Sequence, residues 1–171
     1  LTYIHEFRQT GYLPEAMVNY LALLGWSYDG QTEFFSRSEL VQLFTIDRVS
    51  KSPSAFSYDK LDYMNAAYIR RLGRSDLAGR LLTLLRDEGI VADVETVLRL
   101  VPLVQERITT LRDVLSVADF AFGAEPQYDA ELLIQKNMDA ESTLQALHAA
   151  REALAGLEGW SEASLEERLR A

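Results

Sequence analysis

Apolar residues in this chain recur at three- and four-residue steps, and no stretch alternates between apolar and polar with period two. The first spacing buries one stripe of a helix, whereas the second would bury one face of a strand. The chain is therefore predicted to be all-α. Pro14-Glu15 opens a helix near 14–24, with Leu13, Met17, Tyr20, Leu21 and Leu24 on its apolar side and Gly25 suited to the C′ position just past its cap. Ser36 and Glu39 have capping-box spacing ahead of Leu40, Val41, Leu43 and Phe44. Ser57 caps a stronger helix whose buried stripe is Leu61, Met64, Tyr68, Ile69 and Leu72, closed by Gly73. Ser75-Asp76 opens the next, with Leu77, Leu81, Leu84 and Leu85 inside and Gly89 as its stop.

A further helix is expected over Val94 to Arg107, kinked at Pro102, which lacks the amide that an interior helical residue donates. A short helix reaches Val117, and Phe120 and Phe122 are expected to pack after it. Gly123 to Gln127 reads as a linker. Beyond it, 130–136, 140–157 and 161–170 are rich in alanine, leucine and glutamate at helical spacing. Two helical subdomains follow from this pattern. The chain starts at Leu1 and stops at Ala171 within a helical pattern, so both ends are expected to be cuts in a longer protein.

Charge restricts the partners. The net charge of −9 argues against a nucleic-acid binder, because lysine and arginine supply most of the affinity for phosphate. The distribution reverses part of that argument. Residues 1–47 carry −4 and residues 113–171 carry −8, while residues 48–112 hold eleven basic against eight acidic residues, a net +3. Such a belt can steer a polyanion to one face, although solvated helix faces also account for it.

Catalytic signals are sparse. No apolar run approaches the eighteen residues of a membrane span, and no signal-peptide pattern opens the chain. The chain has no cysteine, which excludes disulfides and thiolate metal sites and fits a reducing compartment, with the cytoplasm as the expected location. His5 and His148 have no partner at ligand spacing, so no metal site is expected. No glycine-rich phosphate loop is present. Serines such as Ser36 and Ser57 fit helix caps better than nucleophiles, and adjacent acids such as Asp87-Glu88 point to different helix faces. No catalytic residue is expected.

Two motifs carry more. Gly11, Tyr12, Pro14, Ala16, Asn19, Tyr20, Leu21, Leu24, Gly25 and Trp26 form the first; Ser52, Pro53, Phe56, Lys60, Leu61, Asn65, Tyr68, Ile69 and Arg70 form the second. In this order and at this separation they resemble the region of bacterial-type glutamyl-tRNA synthetases that follows the KMSKR-like loop and runs into the helical anticodon-binding part. Gly159-Trp160-Ser161-Glu162 matches a later W-[ST]-E motif of the same family.

The resemblance implies a stem-contact region over 1–50, a first helical anticodon-binding subdomain over 51–122, and the start of a second over 123–171. It implies a glutamate-specific tRNA as partner, together with the missing catalytic domain of the same chain, and neither DNA nor membrane. ATP with magnesium belongs to the parent enzyme, a glutamate–tRNA ligase. The KMSKR-like and HIGH-type motifs are absent from these residues, so no cofactor and no aminoacylation are expected of this part.

Pro102 to Leu111 aligns with the family's helix end at the anticodon, and Arg107 falls where discriminating members place an arginine that reads the third anticodon base. Lys60, Arg70 and Arg71 are the candidate phosphate ligands. Asn65 and Tyr68 suit either RNA contact or the tying of helices, the second being favoured. Two other readings stay open: the anticodon region of a class I lysyl-tRNA synthetase, and a helical protein-interaction module without RNA binding.

Overall fold

The computed structural model describes residues 3–122 and 128–170, and these form two compact units, residues 1–124 and 125–171. The described residues contain α-helices and short 3₁₀ turns, with one isolated antiparallel bridge between Trp26 and Val49.

The first helix, α1 (Ile4–Thr10), is one that periodicity does not announce: it spans seven residues and buries only Phe7. Gly11 ends it at φ +93°, a left-handed turn that glycine adopts without strain. The same glycine meets another backbone. A Cβ on Gly11 would lie 2.6 Å from the amide nitrogen of Arg112, and its carbonyl accepts from Leu111 N at 2.9 Å.

Pro14 sits at the first position of α2 (Pro14–Leu23), as the sequence predicts. The helix is capped by Leu24 in right-handed geometry, and Gly25 follows at the C′ position without a left-handed turn, leading into the Trp26–Val49 bridge. In α3 (Arg37–Leu43) the Ser36–Glu39 capping box forms, but only Leu40 is buried. Val41 faces solvent, and Phe44 lies half in solvent beside Trp26.

The strong helix is α4 (Tyr58–Arg71), capped by Ser57, with Leu61, Met64 and Ile69 fully buried. Gly73 does not close it. Leu72 is its last cap, and Gly73, in extended backbone, opens α5 (Arg74–Asp87) earlier than Ser75-Asp76 would. Gly89 behaves as expected, turning left-handed at φ +76° after α5.

Helix α6 (Val94–Val104) runs through Pro102 and ends three residues before Arg107. Proline leaves the carbonyl four residues back, that of Leu98, without its helical donor. Arg74 supplies one: its Nε donates to Leu98 O at 2.7 Å. After a 3₁₀ turn at Leu111–Asp113 come α7 (Val114–Val117) and α8 (Asp119–Phe122). Phe122 packs on the core, but Phe120 is exposed. The linker expected over 123–127 lies outside the described residues.

Residues before and after 50 share their core. Leu13 and Ala16 from the start of α2 pack with Ile69, the buried leucines of α5, Val97, Val101 and Val104 of α6, Ile108 and Val114. Phe7, Met17 and Tyr20 pack with Leu61 and Met64 of α4. In the second unit, the helix expected over 130–136 is a 3₁₀ turn, Ala130–Leu133, and two longer helices follow, α9 (Ala140–Ala155) and α10 (Glu162–Arg170).

Candidate nucleic-acid interface

Two buried asparagines hold the motifs together. Asn65 of α4 accepts from Leu13 N at 2.8 Å and donates to Thr109 O at 2.6 Å, so one amide joins the start of α2 to the loop after α6. Asn19 donates to Glu33 O and accepts from Phe35 N at 2.7 Å and the Tyr68 hydroxyl at 2.5 Å. Both asparagines are fully buried, where backbone groups without partners would be costly. Burial raises the Tyr68 phenol above its ordinary value, so it stays a neutral donor. Their geometry is that of helix ties. Tyr12 works similarly, donating to the Asp62 carboxylate; burial, reinforced by that carboxylate, raises its phenol as well.

The cationic belt is largely occupied within the protein. Of its eleven basic side chains, Lys60, Arg70, Arg80, Arg99 and Arg112 are paired with carboxylates. Arg48 bonds Tyr28 O at 2.8 Å, Arg74 bonds Leu98 O, and Arg71 lies 4.2 Å above the Phe34 ring. Among the described residues, the side chains of Lys51, Arg86 and Arg107 make no hydrogen bond or ion pair within the protein. Pairs this exposed contribute about 0–1 kcal/mol each, so Lys60 with Glu33 (2.6 Å) and Arg70 with Glu106 (3.9 Å) can exchange a carboxylate for a phosphate at little cost.

Arg107, like Lys51 and Arg86, is exposed and unpaired among the described residues, and it stands in a turn whose neighbours on both sides are held. Before it, Gln105 Nε2 lies 2.9 Å from the carbonyls of Ile69 and Leu72 at the end of α4. At its own position, Arg107 N donates to Val104 O at 2.8 Å. After it, Ile108 is buried, Thr109 O is held by Asn65, and Leu111 N is held by Gly11 O. Asp113 accepts from the amides of Thr109 and Thr110, each at 2.8 Å.

The Gln105 contact also sets the relation among the predicted ligands. It brings the end of α6 onto the end of α4, so Arg70, Arg71 and Arg107 share one end of this unit, with Arg70 reaching Glu106. Lys60 lies ten residues back along α4, about 15 Å away at the helical rise, and belongs to a separate patch with Glu33. Reasoning from the sequence missed Gln105, Gly11 and Asn19 as parts of this arrangement. The glycine and the asparagine stand in the first motif, which was the available signal; Gln105 had none beyond its place two residues before Arg107. No group of three His, Asp or Glu side chains suited to a metal occurs among the described residues, and none of their helices is long and apolar enough to cross a membrane.

Comparison with known proteins places the chain in a family. A family model described as anticodon binding domain matches residues 62–171, and one described as tRNA synthetases class I (E and Q), catalytic domain, matches residues 1–63. The chain is 41% identical over 170 residues to a glutamate–tRNA ligase of Dehalococcoides mccartyi, covering 96% of this chain and 35% of that protein. It is 44% identical over 173 residues to the glutamate–tRNA ligase of Roseiflexus castenholzii, covering 98% and 34%. A crystal structure of a glutamate tRNA ligase from Elizabethkingia meningosepticum, in complex with its amino acid, superposes with a TM-score of 0.78 at 26% identity, covering 95% of this chain and 32% of that one. The chain thus spans about a third of the length of the curated relatives it matches.

Proposed function

Because the chain belongs to the anticodon binding domain family, we propose that it is the tRNA-positioning part of a glutamate–tRNA ligase, holding the anticodon stem-loop while a catalytic domain elsewhere in the same protein acts on the acceptor end. Residues 1–50 would take the stem, residues 51–122 the anticodon, and residues 123–171 would begin a second helical subdomain. ATP and magnesium would be handled by that catalytic domain, since these 171 residues contain neither a phosphate loop nor a signature motif for nucleotide. The glutamate reading is taken over the lysine one because both relatives described above are glutamate–tRNA ligases.

The observation that carries the proposal is Arg107: one exposed, unpaired guanidinium on a loop with no slack. Single-stranded anticodon bases expose their pairing edges, and cytosine offers two neighbouring acceptors, O2 and N3, to the planar fork of an arginine. Uracil presents an N3–H there, so a donor would face a donor. Arg70, Arg71 and Lys60 would contact phosphates, which add affinity without reading sequence.

The test is binding of glutamate tRNA by the full protein, with cytosine or uracil at the third anticodon position, across a salt series. Arg107→Ala should reduce the preference between the two by roughly 5- to 150-fold, the range of one good bidentate contact, with the salt dependence unchanged. Lys60→Ala or Arg70→Ala should weaken both tRNAs equally and flatten the salt dependence. Salt-insensitive absence of binding by the full protein sinks the RNA reading.

A further inference from the structure

We infer that Gln105 is a positioning residue for anticodon reading: its side-chain amide sets the pose of Arg107 by clamping the loop to the end of α4. The inference rests on the reading of Arg107 proposed above and goes beyond it, since Gln105 itself need not touch RNA.

The last carbonyls of any α-helix have no helical donors, and something must satisfy them. At the end of α4 no left-handed glycine does so, because Leu72 and Gly73 both continue in extended backbone. Leu72 N returns to Ile69 O at 3.1 Å, and Gln105 adds a side-chain donor at the same end. Its Nε2 carries two hydrogens and finds Ile69 O and Leu72 O, each at 2.9 Å, with Arg70 O at 3.3 Å beside them. The side chain is half-buried, so water competes only in part for these carbonyls.

Gln105 is also the last residue of the α6 turn, its amide donating to Val101 O at 2.9 Å. One residue thus closes α6 with its main chain and α4 with its side chain, and Arg107 follows two positions on. With Ile108 buried and Thr109 held by Asn65, the backbone after Arg107 is held, and the Gln105 contacts hold it from the other side. Charge explains why the residue is a glutamine. A lysine or arginine would satisfy the carbonyls too, but it would add a cation beside Arg70, Arg71 and Arg107. A neutral donor leaves Arg107 as the unpaired charge on this loop.

Base discrimination depends on the direction of the guanidinium fork far more than phosphate attraction does, because bidentate contacts are directional and Coulomb attraction is not. Loosening the clamp should therefore degrade choice between bases before it degrades affinity. A purely structural role would do the reverse, lowering stability and weakening every tRNA alike.

The experiment uses the full protein and glutamate tRNA transcripts with cytosine or uracil at the third anticodon position, reading the ratio of the two Kd values at fixed salt. Gln105→Met keeps length and neutrality but has no donor. It should shrink the ratio by about tenfold, toward that of Arg107→Ala, while the Kd for the preferred tRNA moves by less than about threefold. Gln105→Lys, which restores a donor to the same carbonyls, should recover at least half of the lost preference on a logarithmic scale. Circular-dichroism melts on the same samples establish folding; if Gln105→Met does not fold, Gln105→Asn, too short to reach both carbonyls, is scored by the same ratio. A ratio left at its original value in the donor-deficient variant, or equal weakening of both tRNAs with the ratio intact, overturns the positioning role. An unchanged ratio in Arg107→Ala, by contrast, removes the base-reading role beneath it.

Discussion

Asn65→Ala should destabilise the unit of residues 1–124 by about 3–4 kcal/mol, a large share of the 5–15 kcal/mol that holds a typical domain folded. The magnitude follows from the two backbone groups that the amide satisfies in a fully buried position: Leu13 N at 2.8 Å and Thr109 O at 2.6 Å. Each left without a partner costs about 1–3 kcal/mol, and entry of a water into the vacated space returns part of that. Asn65→Asp separates the two bonds. A carboxylate still accepts from Leu13 N but faces the Thr109 carbonyl with no hydrogen, in a buried site, which raises its pKa when folded. Its neutral form is the one the fold tolerates, so stability lost near neutrality should return as the pH is lowered through that raised pKa. Urea unfolding gives the free energies, and amide hydrogen exchange at Leu13 and Leu111 localises the change. A cost below about 1 kcal/mol for Asn65→Ala, or unaltered exchange at Leu13, would refute the view that this amide joins α2 to the loop after α6.

Two further outcomes test other contacts. Arg74→Met should cost about 1 kcal/mol alone and nearly nothing alongside Pro102→Ala, whose restored amide takes the Leu98 carbonyl; equal costs in both backgrounds, measured by urea unfolding, would show that Arg74 does not replace the missing donor. The hydrogen bond from Arg80 holds the Glu15 carboxyl below its ordinary value of 4.5, so the stability it contributes is present above that pH and is lost as the pH falls below it. The gap in urea midpoint between the unmodified protein and Arg80→Met should accordingly narrow between about pH 5 and pH 3, and a gap that ignores pH would discount the pair.

What the sequence disclosed followed from what spacing can encode. Helices α4 and α5 repeat an apolar stripe over several turns, and the caps at Ser36 and Ser57 act on amides two or three residues ahead, so both are local signals. Helix α1 has fewer than two turns and one buried side chain, too little for a period to show. Gly73 misled for another reason: a glycine serves the end of one helix or the extended cap of the next equally well, and spacing alone does not tell which. At the site, the family motifs drew attention to Arg107. The partners of the other arginines stayed hidden, because counting charges does not show that Arg80 meets Glu15 sixty-five residues away or that Arg112 meets Glu88. Gln105 was hidden in the same way, its acceptors lying more than thirty residues earlier on another helix.

The bonds from Asn65 and Gly11 bear on how such proteins recombine. The two family models meet at residues 62–63, inside α4, and on either side of that seam Tyr12 holds Asp62, Leu13 holds Asn65, and Gly11 lies against the backbone of Leu111. The boundary between the two matched regions thus falls inside the first compact unit, residues 1–124, rather than between units. A chimera spliced at the seam would inherit α4 from two parents and a turn shaped for a loop it no longer faces. On the reading proposed above, exchange of anticodon specificity between relatives would need the α1–α2 turn and the 105–113 loop to travel together, even though almost a hundred residues separate them in the chain.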